Sequence, residues 1–339
     1  MENCFPGACT GIVFNGRCWV YSAGHLTYDT MSSKVTEDTI YDVASLTKAV
    51  PVSCLALSLI EKGILAQDER VTDVLPEFHG NTRDSVRVMH LLTHTVSFGF
   101  RMSTLRHLTG RELLGVIYST DLEAQPGSVF SYANATSILL GMVIEMKLGL
   151  KLDVAADEYF FKPLGMSSTT FHPDLFKDRS IAPTEFDAAR GGVICGKVHD
   201  ESADRFYPGV VGSAGLFSTV NDMCLFIELL LEKGWKERRY FDEATVALMH
   251  TNALAGVLAE KTGCGWELDQ PFMGMLRSEE TFGKTGFTGC SLIIDPRRNV
   301  GIVLLSNHIH PHRREDRSII NAVRSEIADL VYNRVDSVV

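Results

Sequence analysis

Residues 289–306 read Gly289-Cys290-Ser291-Leu292-Ile293-Ile294-Asp295-Pro296-Arg297-Arg298-Asn299-Val300-Gly301-Ile302-Val303-Leu304-Leu305-Ser306. Two apolar runs, 289–295 and 300–306, flank the turn 296–299, and this pattern predicts an antiparallel hairpin. The same signal stands at the other end of the chain. Runs 8–14 and 17–23 are separated by Asn15-Gly16, a dipeptide that supplies positive φ at both turn positions. Between these hairpins, over about 64–254, the apolar spacing is mostly helical, broken by Pro76, Pro126-Gly127, Pro163, Pro183 and Gly191-Gly192. Helices are predicted over 45–62, with Pro51 as a kink and Gly63 as a stop, and over 221–233, opened by Thr219. A last helix is predicted over 315–334 with Ile319, Ile320, Val323, Ile327 and Leu330 on one face. Strands at both ends with helices between them imply a discontinuous fold. The expectation is α/β plus all-α: a mainly antiparallel sheet flanked by helices, with a helical subdomain inserted. Residues 1–44 and 260–339 would form the sheet domain and 45–259 the helix-rich one, with an active-site cleft between them.

The 339 residues carry 32 Lys and Arg against 42 Asp and Glu, a net charge of −10, with 45% hydrophobic and 22% charged positions. That composition excludes a disordered or fibrous chain. The basic residues cluster only as pairs such as Arg238-Arg239, Arg297-Arg298 and Arg313-Arg314, so no stripe exists to neutralise phosphates, and a nucleic-acid partner is not expected. The eight cysteines are scattered without a C-x-x-C and read as reduced thiols. No basic segment leads into an apolar core near Met1, and no apolar run approaches 18 residues, so no membrane segment is expected. The expected compartment is the cytoplasm, or the periplasm or exterior if a leader has been removed. His90 and His94 have i, i+4 spacing but lack the glutamate of H-E-x-x-H, and His308, His310 and His312 alternate around Pro311. Neither group reads as a metal site, and no cofactor is expected.

Three short segments can carry chemistry. Ser45-Leu46-Thr47-Lys48 puts a hydroxyl and an amine three positions apart, one face of a helical turn, so the amine can reach the hydroxyl. A serine is a poor nucleophile until a neighbouring base takes its proton. Alone this spacing is weak, since S-x-x-K arises by chance about once in a chain this size, and the alternative is a helix cap followed by a solvated lysine. Tyr132 and Asn134 sit at i and i+2 after Pro126-Gly127; outside a regular helix that spacing can aim a phenol and an amide into one cleft. The competing reading is a packed tyrosine and a capping asparagine. Lys284-Thr285-Gly286 precedes the late strands, where a glycine allows close approach of a ligand, or simply makes a turn.

Taken together and in order, these segments resemble the class C β-lactamase and penicillin-binding serine hydrolase family. The resemblance runs over most of the chain: Asp42-Val43-Ala44-Ser45-Leu46-Thr47-Lys48, Leu91-Leu92-Thr93-His94-Thr95, Pro126-Gly127 through Asn134, Pro163-Leu164-Gly165-Met166, Ala214-Gly215-Leu216-Phe217 and Gly283 through Gly289. It implies a β-lactamase/transpeptidase-like fold and a metal-free acyl transfer on a small-molecule or peptide substrate. By that resemblance Ser45 is the acylated nucleophile and Lys48 and Tyr132 share its proton. Asn134 would hold the substrate amide, Lys284 and Thr285 would bind its far side or carboxylate, and Gly286 would admit it. The backbone N–H groups of Ser45 and Phe287 would form an oxyanion hole worth about 3 to 4 kcal/mol per donor. For the role of base Lys48 has to be free of its proton, and Tyr132 faces the same requirement from a reference pKa of about 10.

The chain departs from the family pattern at three places. His94-Thr95 is followed by Val96-Ser97-Phe98 where Ser-Gly is frequent, Cys290 follows Gly289, and the third motif carries Lys284 where many esterase and peptidase relatives have histidine. The resemblance implies a β-lactam, a D-amino acid peptide or an ester as substrate. An intracellular carboxylesterase and a non-catalytic ligand-binding or assembly protein of the same fold are the rival readings.

Overall fold

The computed structural model describes residues 4–231, 240–314 and 316–338. Its strands are β1 (Gly7–Phe14), β2 (Arg17–Gly24), β3 (Tyr41–Asp42), β4 (Phe186–Asp187), β5 (Gly192–Val193), β6 (Phe217–Ser218), β7 (Glu267–Leu268), β8 (Phe282–Thr285), β9 (Ser291–Asp295) and β10 (Val300–Ser306). Six of them form one sheet in the order β2-β1-β10-β9-β8-β7. Each neighbouring pair is antiparallel. The first hairpin closes at Phe14↔Arg17, with Asn15 at φ 49° and Gly16 at φ 70° as the turn demands. β1 then lies against β10 rather than a sequence neighbour, so the two ends of the chain share one sheet.

Both faces of that sheet are covered, which explains why β9 and β10 read as continuous apolar runs instead of alternating ones. Ile293, Val300 and Ile302 pack with Ala328, Val331, Tyr332 and Val335 of the final helix, Ser318–Asp336. Leu292, Ile294, Val303 and Leu305 face the main core with Met223, Phe226 and Ile227 of the helix Val220–Leu231. The predicted stretch of that helix beyond residue 231 lies outside the described residues. We propose the division 1–44 with 260–339 against 45–259 as a description of the chain's path. By packing, Val220–Leu231 lies on the sheet.

Several local expectations are corrected. The final helix packs Ile320, Val323 and Ile327 inward as expected, together with Ala328, Val331, Tyr332 and Val335, but Ile319 and Leu330, expected on the same face, are exposed at the edges of that 3.6-residue stripe. Lys284 and Thr285 precede the two late strands as expected, but they belong to a further strand of their own, β8. The predicted helix 45–62 is divided into a 3-10 turn, Ala44–Lys48, and a helix, Cys54–Glu61. Val50 between them is extended at φ −113°, ψ 109°, as a residue preceding proline prefers. The span Ala44–Glu61 has a mean hydropathy of 1.3, yet 83% of it is buried in the molecule, so its apolarity belongs to the core.

Candidate active site

The Ser45 turn is held from several directions. Ala44 adopts φ +48°, unusual for a residue with a Cβ. Its N–H donates to Asp42 Oδ1 at 2.8 Å, and the other carboxylate oxygen of Asp42 accepts the His199 N–H at 2.7 Å. Thr47 Oγ1 donates to the Ala44 carbonyl at 2.6 Å and accepts the Leu216 N–H at 3.2 Å. Ser45 is the one partly exposed residue in this buried stretch. Lys48 Nζ, buried, donates to Ser45 Oγ at 2.9 Å and to the Ser213 carbonyl at 2.6 Å. The hydroxyl and amine three positions apart therefore meet as the spacing predicts.

Tyr132 comes from the other side of the cleft. The residue is 46% exposed, and Lys48 Nζ and Lys284 Nζ lie 5.2 and 4.8 Å from its ring centroid. Burial pushes the phenol up, but the Lys48 and Lys284 ammonium groups and a hydrogen bond from Ser45 outweigh burial and the opposing Glu267 charge. The net result is a phenol below its usual 10. His94 packs behind it with ring centroids 4.7 Å apart. Lys284 itself, at the buried end of β8, pairs with Glu267 Oε1 of β7 at 3.1 Å. Burial favours its neutral form, yet the charges of Tyr132 and Glu267 and the Glu267 hydrogen bond raise its pKa and keep it an ammonium.

Gly286 locks the strand end onto the Ser45 turn. A Cβ there would stand 2.4 Å from the Val43 carbonyl oxygen, so only glycine permits this approach. Phe287 follows, its ring stacked on His199 at 5.5 Å and 12°, with the Arg313 and Arg317 guanidinium carbons 5.1 and 4.7 Å from its centroid. Asn134 opens the helix Asn134–Leu148, and its amide nitrogen donates to Asp200 Oδ2 and Ser202 Oγ, each at 3.0 Å. With its amide nitrogen engaged, the side chain has its carbonyl oxygen left as an acceptor.

Ser45, Tyr132, Asn134, Thr285 and Phe287 line one cleft of about 540 Å³, together with Arg101, His199, Asp200, Glu201, Glu267, Arg313 and Arg317. Lys48, Lys284 and Gly286 do not line it but touch Ser45, the Tyr132 ring and the Val43–Ala44 turn, so the candidate catalytic and substrate-binding residues lie together. The sequence reading missed Asp42, His199, Asp200, Glu267 and the arginines. Arg313 is bound to Glu185 and Glu201, and Glu185 also meets His199 Nε2 at 3.0 Å. Burial pushes the Glu185 carboxyl up, but hydrogen bonds from His199 and Arg313 and their charges hold it at about 2. Asp42, three positions before Ser45, was within the quoted motif. The others come from segments distant in sequence and carried no motif. The histidine groups have other duties: His90 Nδ1 accepts the Arg87 N–H, His308 Nδ1 meets the Cys4 carbonyl and His310 Nδ1 the Thr184 carbonyl.

A family model described as Beta-lactamase matches residues 2–324. The chain belongs to the Beta-lactamase family. A putative D-alanyl-D-alanine carboxypeptidase of Escherichia coli strain K12 is 32% identical over 318 residues, covering 82% of this chain and 71% of that one. Two solved structures share the fold of this family member. A class C β-lactamase from Rhodobacter sphaeroides has a TM-score of 0.72 at 20% identity, over 97% of this chain and 96% of that one. EstCE1, described as a hydrolase with promiscuous acyltransferase activity, has a TM-score of 0.76 at 23% identity, over 98% and 94%. This protein is a serine hydrolase of the β-lactamase fold.

Proposed function

We propose that Ser45 is the nucleophile of this hydrolase and that Tyr132, as the phenolate, is its base. The observation that carries the reading is the Lys48 Nζ to Ser45 Oγ hydrogen bond of 2.9 Å. Because Lys48 donates to Ser45, the hydroxyl proton of Ser45 is directed to the Tyr132 oxygen, where the two ammonium groups favour negative charge. Ser45 Oγ bonds to the substrate carbonyl carbon as its proton passes to Tyr132. The backbone N–H groups of Ser45 and Phe287 receive the oxyanion. Collapse breaks the bond to the leaving group, which takes the proton from Tyr132, and water then cleaves the acyl-enzyme by the reverse path. Asn134 Oδ1 accepts an N–H of the substrate.

The substrate class we assign is a peptide ending in D-alanyl-D-alanine, on the strength of the relatives at about one-third identity. A second reading, an ester, draws on the Lys284–Glu267 pair, which already supplies the cation with a carboxylate. The test measures D-alanine release from an N-acylated D-alanyl-D-alanine and hydrolysis of p-nitrophenyl acetate. Peptide turnover is expected to exceed ester turnover, and Ser45→Ala to abolish both. A Ser45→Ala protein keeping more than about a tenth of either activity would sink the assignment.

A further inference from the structure

The proposed base stands on a segment with no regular backbone, since residues 130–133 belong to neither strand nor helix. Such a segment fixes a side chain only through bonds made from elsewhere. His94 makes them on both sides of Tyr132. Its carbonyl oxygen accepts the Ser131 N–H at 2.8 Å. Its Nδ1 lies 2.8 Å from Thr136 Oγ1, which in turn donates to the Ala133 carbonyl at 2.7 Å. The hydroxyl of Thr136 has a single proton and Ala133 receives it, so His94 Nδ1 must be the donor to Thr136, and this fixes the tautomer with Nε2 unprotonated. Between those two bonds the imidazole lies against the Tyr132 ring. His94 is buried and holds φ +53°, a conformation a residue with a Cβ adopts only when its surroundings impose it. Burial, then Lys284 and Lys48, push its pKa well below 6.5, so the ring stays neutral and adds no third cation.

We propose that His94, acting with Thr136, is the positioning residue for Tyr132: it clamps residues 131–133 from both ends and holds the phenol where Ser45, Lys48 and Lys284 meet. The inference rests on Tyr132 being the base for Ser45. Tyr132 is faced by Lys48 from the Ser45 turn, Lys284 from β8, Glu267 from β7 and neutral His94, and the Lys48 charge also acts on Asp200 beside Asn134. Loosening the clamp lets the phenol drift from both ammonium groups, and its proton is then held more tightly. The acid limb of kcat/KM, which follows the phenolate fraction, must move to higher pH.

The experiment compares wild type, Thr136→Val, His94→Asn and His94→Leu on p-nitrophenyl acetate across pH, with Ser45→Ala as control. Thr136→Val keeps shape and removes both hydroxyl bonds. His94→Asn keeps an N–H donor and tolerates positive φ, whereas His94→Leu does neither. In Thr136→Val the acylation rate is expected to fall about tenfold or more with KM within about twofold, and the acid limb to shift upward. His94→Asn should recover much of the rate that His94→Leu loses. A folded Thr136→Val protein whose acid limb stays in place overturns the positioning role, even if its stability is lower, since a merely structural contact would leave the limb unmoved. Ester hydrolysis that survives Ser45→Ala would instead bring down the nucleophile assignment, and this inference with it.

Discussion

The Ser45 turn and the Tyr132 segment face each other across one cleft, yet they are built by different means. Ser45 and Lys48 share a single 3-10 turn, and their geometry follows from a three-residue spacing that needs no distant partner to be read. Tyr132 has no such element. Its place is set by His94, Thr136 and Asn134 with its partners Asp200 and Ser202, contributed by segments up to 70 residues away along the chain. The Ser45–Lys48 contact itself is local, although backbone groups of His199, Ser213 and Leu216 hold the turn from outside, whereas the place of the base depends on tertiary contacts with His94, Asp200 and Ser202. Mutations that act at a distance should therefore fall harder on Tyr132, except where the strand end touches the Ser45 turn directly.

That exception supplies the largest expected effect. Gly286→Ala would place a Cβ 2.4 Å from the Val43 carbonyl oxygen, a backbone atom that cannot swing aside. The strand end must retreat and carry the Phe287 N–H with it, so acylation is expected to fall by about 10²–10³, the cost of losing one oxyanion donor. Single-turnover kinetics on a neutral aryl ester measure it. A loss under about threefold would show that the turn and the strand end are not coupled.

A smaller and more selective effect is expected at Lys284, which touches Tyr132 through its charge. Lys284→Ala should lower kcat/KM about tenfold or more for carboxylate-bearing substrates, through loss of a charge-assisted contact, and less for p-nitrophenyl acetate. Comparing kcat/KM for the two substrates checks this. Equal loss on both would assign Lys284 to the tuning of Tyr132 rather than to the carboxylate.

The same contrast explains what was legible in the sequence. The Asn15-Gly16 hairpin, the β9–β10 hairpin and the Ser45–Lys48 contact were all readable because each depends on residues a few positions apart. The join of the two hairpins followed from strand signals at both ends of the chain with helical spacing between them. On the final helix Ile320, Val323 and Ile327 pack inward as the spacing predicts, whereas Ile319 and Leu330 have the right chemistry but lie at the edges of the stripe and stay exposed. β8 was missed because Phe282–Thr285 is four residues long with a glycine and a lysine in it, and its strand character comes from pairing with β9. Asp200 and Glu267 left no local signal at all. Each acts on a residue more than fifteen positions away, and a lone charge reads as solvated until its partner is placed beside it.

The central claim is that Ser45 carries the acyl group, and it is tested most directly by following intact mass against time after mixing the protein with a penicillin, with Ser45→Ala as control. The account predicts an increase equal to the whole penicillin, because ring opening expels no atoms, on wild type alone. The adduct lasts if hydrolysis is slow and disappears with drug consumed if it is fast. An adduct that forms equally on Ser45→Ala, or drug consumed at the same rate by both proteins, would contradict it.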